Sequence, residues 1–164
     1  MTRRRLLQTV LGVGAVGAAA RMVGAGDGGT TDSAGAFEVT MTEADWRKRL
    51  GPAQFAVLRK HGTERPGSSP LDKENRPGTY HCAGCELALF SSDTKFDSGT
   101  GWPSFWAPLA KAVGTTTDRS FWMARTEVHC ARCGGHLGHV FDDGPKPTGL
   151  RYCMNGVALI FRGA

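Results

Sequence analysis

Cys82-Ala83-Gly84-Cys85 and Cys130-Ala131-Arg132-Cys133-Gly134-Gly135-His136-Leu137-Gly138-His139 are the two stretches on which the fold turns. Each Cys-x-x-Cys puts two thiolates on one tight turn, close enough to grip a single ion, and two such knuckles complete a tetrahedron. Gly84 inside the first knuckle and Gly134 directly after the second let the backbone turn sharply while both sulfurs face inward. Residues 86–129 separate the pairs, too many for a compact ribbon, so the knuckles must meet through tertiary structure. Ligation by Cys82, Cys85, Cys130 and Cys133 closes the shell to water and makes the ion a structural staple. Two disulfides, or redox-active Cys-x-x-Cys pairs, are the competing assignments.

Outward from the knuckles, residues beyond Pro66 form short apolar runs broken by Gly, Pro, Asp and Ser, and these predict strands over 79–82, 87–90 and 121–128. The last run alternates Val157, Leu159 and Phe161 with Ala158, Ile160 and Arg162, the pattern of a half-buried strand. Before Pro66 the pattern is helical. Thr42 offers an N-cap with Asp45 three residues on, and Trp46 and Leu50 share a face. Pro52 suits the first turn of a second helix, which runs through Phe55, Leu58 and Arg59 to Gly62, a residue able to take a left-handed C-cap.

Residues 1–20 have a different character. Arg3-Arg4-Arg5-Leu6-Leu7 leads into a mildly apolar stretch ending at Ala18-Ala19-Ala20, the order of a secretory signal, and paired arginines before Leu-Leu suggest twin-arginine export. Leu6 to Ala20 falls short of the roughly 20 residues that span a bilayer. Residues 21–37 are rich in Gly, Ser, Thr and Asp and are expected to be a flexible leader, followed by one domain over 38–164. Loss of residues 1–20 lowers the formal charge of +5 by three to +2. So small a charge, without a dense basic run, argues against nucleic-acid binding or stable membrane association.

Cys153 remains once four cysteines are assigned to metal, within Arg151-Tyr152-Cys153-Met154-Asn155. A buried cysteine acting as a small hydrophobe is the plain explanation. On a strand, however, Arg151 and Asn155 project to the same face as the thiol, where positive charge and a hydrogen bond favour a nucleophilic thiolate. His136 and His139 follow the second knuckle closely; they are either further metal ligands or acid catalysts for a departing oxygen. Trp102 and Phe105, in Gly101-Trp102-Pro103-Ser104-Phe105, are either core or an aromatic cage for a methyl group on sulfur.

Taken in order, the two knuckles, Gly-Trp-Pro-Ser-Phe at 101–105, His-Leu-Gly-His-Val-Phe at 136–141 and Arg-Tyr-Cys-Met-Asn at 151–155 resemble the methionine-R-sulfoxide reductases over 42–162. The resemblance implies a mainly β fold, two small antiparallel sheets around a structural zinc with short N-terminal helices. It implies Cys153 as nucleophile, with His136, His139 and Asn155 binding or polarising the sulfoxide. Trp102 would then shape the methyl pocket with Phe105, and Arg151 and Asp143 fall at matching substrate-side positions. The expected substrates are oxidised proteins or peptides carrying methionine sulfoxide, and a monomer is the expected state. Many family members carry a resolving cysteine where this chain has Thr100, so the Cys153 sulfenic acid is expected to be reduced by an external thioredoxin-like protein or small thiol.

Two other readings compete. A zinc module that binds a protein or nucleic acid leaves Cys153 without a purpose, and a thiol peroxidase would turn over peroxide rather than sulfoxide.

Overall fold

The computed structural model describes residues 37–119 and 124–164. The signal expected over 1–20, the leader up to residue 36 and the start of the strand expected over 121–128 lie outside the described residues. No helix among the described residues is long and apolar enough to cross a membrane.

Helix α1, Glu43–Arg49, begins as its sequence requires: Thr42 accepts a hydrogen bond from the Asp45 amide, acidic residues fill the first turn and basic ones the last. Trp46 is its buried anchor. Helix α2, Pro52–Lys60, starts on Gly51, whose amide donates to the Gln54 side chain, and it buries Phe55, Val57 and Leu58. The left-handed residue that ends it is His61, with φ of 54°, rather than Gly62. Gly62 answers a different need: its amide donates to Ala56 O, and a Cβ there would sit 2.8 Å from that oxygen.

Nine strands follow among the described residues. β1 (Gly78–Cys82), β2 (Ala88–Ser91) and β9 (Leu159–Gly163) form an antiparallel sheet in the order β2-β1-β9. β3 (Lys95–Phe96), β4 (Ser104–Phe105), β5 (Val113–Asp118), β6 (Arg125–Cys130), β7 (His136–Phe141) and β8 (Arg151–Met154) form a second, in the order β3-β4-β8-β7-β6-β5. The mainly β fold of two antiparallel sheets with short helices before them is therefore the one expected. Boundaries shift by one residue at β1 and β2 and by two residues in two places. Val157 and Ala158 belong to a 3-10 turn, Gly156–Ala158, so the last strand begins at Leu159, and β6 continues past Val128 to Cys130.

An aromatic cluster joins the sheets. Phe90 of β2 stacks on Phe105 of β4 with centroids 4.4 Å apart, and Tyr80 of β1 meets the same ring edge-on at 4.9 Å. Phe105 is wholly buried there. The expectation that it touches substrate is thus corrected: in β4 the side chains alternate, so with Ser104 facing Cys153 the next residue points into the core.

Candidate active site

The knuckles come together at the ends of two strands from different sheets. Cys82 closes β1 and Cys130 closes β6, and all four sulfurs lie within 4.8 Å of one another. Cys82 Sγ is 3.7 Å from Cys133 Sγ, and Cys85 Sγ is 3.5 Å from Cys130 Sγ. Sulfurs about 2.3 Å from a zinc-sized ion stand about 3.8 Å apart in a tetrahedron, whereas a disulfide needs about 2.05 Å. The spacing therefore fits a four-thiolate metal site and no disulfide. Both knuckles use one backbone device: the Glu86 amide donates to Cys82 O, the Gly134 amide donates to Cys130 O, and both residues have positive φ. The left-handed position of the first knuckle thus falls on Glu86, held by Arg162, and not on Gly84.

Cys153 sits mid-sheet. Its Cα partners are Ser104 on β4 and His139 on β7, His139 pairs with Glu127 on β6, and Glu127 pairs with Thr116 on β5. Directly opposed residues of antiparallel strands share a face. One row of side chains therefore runs Ser104, Cys153, His139, Glu127, Thr116 across five strands. Thr100 Oγ1 lies 3.9 Å from Cys153 Sγ and is tied through Ser98 Oγ to Ser104 Oγ at 2.8 and 2.7 Å. Burial pushes the Cys153 thiol up, and Thr100, Arg151 and Ser104 oppose it by favouring the thiolate.

His136 reaches this face through a bulge. Three residues from His139 on a regular strand, it would point to the opposite side. Between Val128↔Gly138 and His129↔His136 the register slips, so β7 spends one extra residue, Leu137, against β6. Leu137 goes into the core and His136 joins the row, its ring 5.4 Å from that of His139. His136 Nδ1 is 2.7 Å from Glu127 Oε1, and its buried Nε2 has no hydrogen-bond partner among the described residues. Burial pushes the Glu127 carboxyl up, but hydrogen bonds from His136 and Thr116, aided by nearby imidazole charge, outweigh it and hold the group at about 2. His139 Nε2 bonds Asp118 Oδ2 at 2.9 Å; burial pushes its imidazole down and Asp118 resists.

The remaining expected residues have distinct places. Arg151, two residues before the thiol, is held by Asp143 through two bonds of 2.8 Å and lies over the Phe141 ring. Trp102 is half-buried, its indole N–H donating to Glu64 O at 3.2 Å. Asn155 lies beyond the end of β8, 3% exposed, its Nδ2 donating to Leu137 O and its Oδ1 accepting from the Glu64 amide. Its amide clamps backbone instead of projecting beside the thiol, which corrects the strand-face argument for it. Glu127 and Glu64 were not legible in the sequence. Glu64, in a glycine- and proline-flanked segment, accepts from the amides of Gly156 and Val157 and so fixes the turn after Cys153. Glu127 alternates like any strand carboxylate on a solvent face.

A family model described as the SelR domain matches residues 50–163. Among similar proteins named peptide methionine sulfoxide reductase MsrB, one from Agrobacterium fabrum (strain C58 / ATCC 33970) is 54% identical over 125 residues, 76% of this chain and 93% of the relative. Another, from Pseudomonas putida (strain W619), is 56% identical over 126 residues, 76% of this chain and 95% of its own length. A third, from Leptospira interrogans serogroup Icterohaemorrhagiae serovar Lai (strain 56601), is 52% identical over 127 residues, covering 77% and 97%.

Proposed function

The chain belongs to the SelR-domain family of MsrB peptide methionine sulfoxide reductases, and from that premise we propose that it reduces the R epimer of peptide-bound methionine sulfoxide with Cys153 as nucleophile. The observation that carries the reading is the row on one sheet face, with Cys153 between the Thr100–Ser98–Ser104 hydroxyls and His139, and the His136–Glu127 pair beyond.

In the reaction the Cys153 thiolate attacks the sulfoxide sulfur. His136, oriented by Glu127, delivers a proton to the sulfoxide oxygen, with His139 alongside. The sulfur–oxygen bond of the substrate breaks, the oxygen ends on Cys153 as sulfenic acid, and methionine leaves two electrons richer. Arg151, fixed by Asp143, favours the thiolate before attack. Trp102, pinned through Glu64, forms the wall for the methyl group, and a pocket that fixes methyl and oxygen together accepts one epimer. Two equivalents of an external thiol then return Cys153 to the reduced state, releasing water and a disulfide. Thr100 beside Cys153 offers no sulfur, and the other four cysteines are buried in the knuckles.

Cys82, Cys85, Cys130 and Cys133 would hold one zinc ion, which ties the end of β1 to the end of β6 and has no open position for substrate. Export by the twin-arginine route, with cleavage near residue 20 and action outside the cytoplasm as a monomer, completes the proposal. It is supported by the order of charged, apolar and small residues over 1–20. Folded export also allows the metal to be loaded before the thiols meet an oxidising compartment.

The test is turnover of separated R and S epimers of an N-acylated methionine sulfoxide with dithiothreitol, using the chain without residues 1–20 and its Cys153→Ser variant. R-only turnover lost on substitution is expected. No turnover of either epimer by folded, metal-loaded protein would overturn the reading.

A further inference from the structure

We infer that the cleft beside the catalytic row holds a second metal site, in which His61, Glu127 and His136 bind a divalent transition-metal ion that stops turnover. His61 ends α2 in a left-handed turn that aims its ring at β6, with Nδ1 3.2 Å from Glu127 Oε1. The His61 and His136 ring centroids are 5.2 Å apart, and one ligand atom from each of the three residues lies within 4.8 Å of the others. Bonds of about 2.0–2.2 Å to nitrogen and oxygen require ligand atoms roughly 3.3–3.5 Å apart, so the His61–Glu127 separation already suits an ion and the His136–Glu127 pair at 2.7 Å must open by about 0.6 Å to admit one. His61, two-thirds exposed, is free to follow.

A second observation points the same way. His136 is 2% exposed, its Nε2 has no partner among the described residues, and the residue lines, with His61 and Glu127, a cleft of about 460 Å³ walled by polar and charged side chains. Two imidazoles and one carboxylate suit zinc, cobalt, nickel or copper and discriminate against magnesium and calcium, which prefer oxygen. Three protein ligands leave coordination positions open toward the cleft, where His139 and Asp118 also stand. Cys153 is not among the ligands. An ion here takes the imidazole of His136 out of proton delivery, so inhibition follows from metal binding without any bond to the thiol. That consequence rests on the proposed role of His136, whereas the site itself does not.

The test separates the two. Cobalt(II) is titrated into the zinc-loaded Cys153→Ser protein, and the visible d–d absorption is followed. One added equivalent, with no thiolate-to-cobalt charge-transfer band, is expected. The same titration of Cys153→Ser/His61→Asn should show binding weakened by roughly tenfold or more, the scale on which single groups of a metal site act. Asparagine tolerates the left-handed backbone at position 61, so the helix end is kept. In the active zinc-loaded protein, His61→Asn should leave turnover without added cobalt unchanged and raise the inhibitory cobalt concentration by a similar factor. No cobalt uptake beyond the zinc, or uptake indifferent to His61, overturns the site. A charge-transfer band in the Cys153 protein that vanishes on Cys153→Ser, with no d–d band remaining, would place the ion on the thiol and also overturn it.

Discussion

Glu127→Gln tests what the carboxylate does for His136, because the side chain keeps its shape while losing its charge and one of its two acceptor oxygens. Glu127 accepts from His136 at 2.7 Å and from Thr116, with 11% of its side chain exposed. Turning a charge-assisted bond into a neutral one removes about 1–2 kcal/mol. A carboxyl held at about 2 against an ordinary 4.5 is a net stabilisation on the order of 3 kcal/mol left after the opposing cost of burial. At 1.36 kcal/mol per factor of ten, the rate of oxygen transfer should fall roughly 5- to 30-fold. The assay is a single turnover without reductant, quenched in acid, with methionine quantified, so that the regenerating thiol does not limit the rate. A folded variant that loses less than about threefold, while His136→Asn loses far more, would refute the pairing as a catalytic device. The pH dependence follows from the sign of the shift. With its folded value depressed, Glu127 is ionised above about 4.5 in either state, so the deficit should be flat from about pH 6 to 8. Its contribution to folding is present above the unfolded value of 4.5 and is lost only as pH falls through about 2.

Phe105→Ala, in the ring cluster with Phe90 and Tyr80, should cost about 3–5 kcal/mol by urea unfolding while leaving KM of the folded fraction unchanged; a raised KM at normal stability would return Phe105 to the substrate. Stripping metal with a mercurial reagent and a chelator should release one zinc per chain and lower the melting temperature by on the order of 10 °C or more, since an ion held by these four sulfurs would join the ends of β1 and β6; unchanged melting would assign the sulfurs another purpose. Thr100→Cys puts a second sulfur where Oγ1 is 3.9 Å from Cys153 Sγ, and after one turnover without reductant thiol titration should show both thiols consumed in a disulfide; a persistent sulfenic acid on Cys153 would mean that the turn holds the two apart.

Local chemistry made much of the fold readable. Thr42 and Asp45 marked the start of α1 because a hydroxyl satisfies an otherwise unpaired amide, and Pro52 marked the start of α2 because its missing N–H costs nothing there. The ends were harder. His61 is left-handed although a glycine stands next to it, because Gly62 is needed where a side chain would strike Ala56 O. The same misdirection recurs at the first knuckle, where Glu86 and not Gly84 takes the positive φ and an ion pair to Arg162 holds it. Glycine advertises freedom of backbone, but close approach and left-handed φ both demand it, and sequence does not separate them.

The site was legible wherever it depends on spacing and opaque wherever it depends on register. Two Cys-x-x-Cys turns announce a metal centre because the knuckle is local, and Arg151 beside Cys153 follows from strand alternation. Phe105 fails by the same alternation once Ser104 is known to face the thiol, a fact that only the pairing of β4 with β8 supplies. His136 and His139 are the clearer case. At i and i+3 on a strand they belong to opposite faces, and a regular β7 would bury one of them in the core, far from any shared chemistry. The extra residue Leu137 reverses the alternation, and with it Glu127, otherwise an ordinary strand carboxylate on β6, becomes the partner that orients His136. One bulged residue thus gathers His136, Glu127 and His139 on the sheet face that carries Cys153. Deleting Leu137 would regularise β7 and keep His136 two residues from His139 on the same face, losing only the core side chain, whereas regular pairing that retained Leu137 would turn His136 away from Glu127.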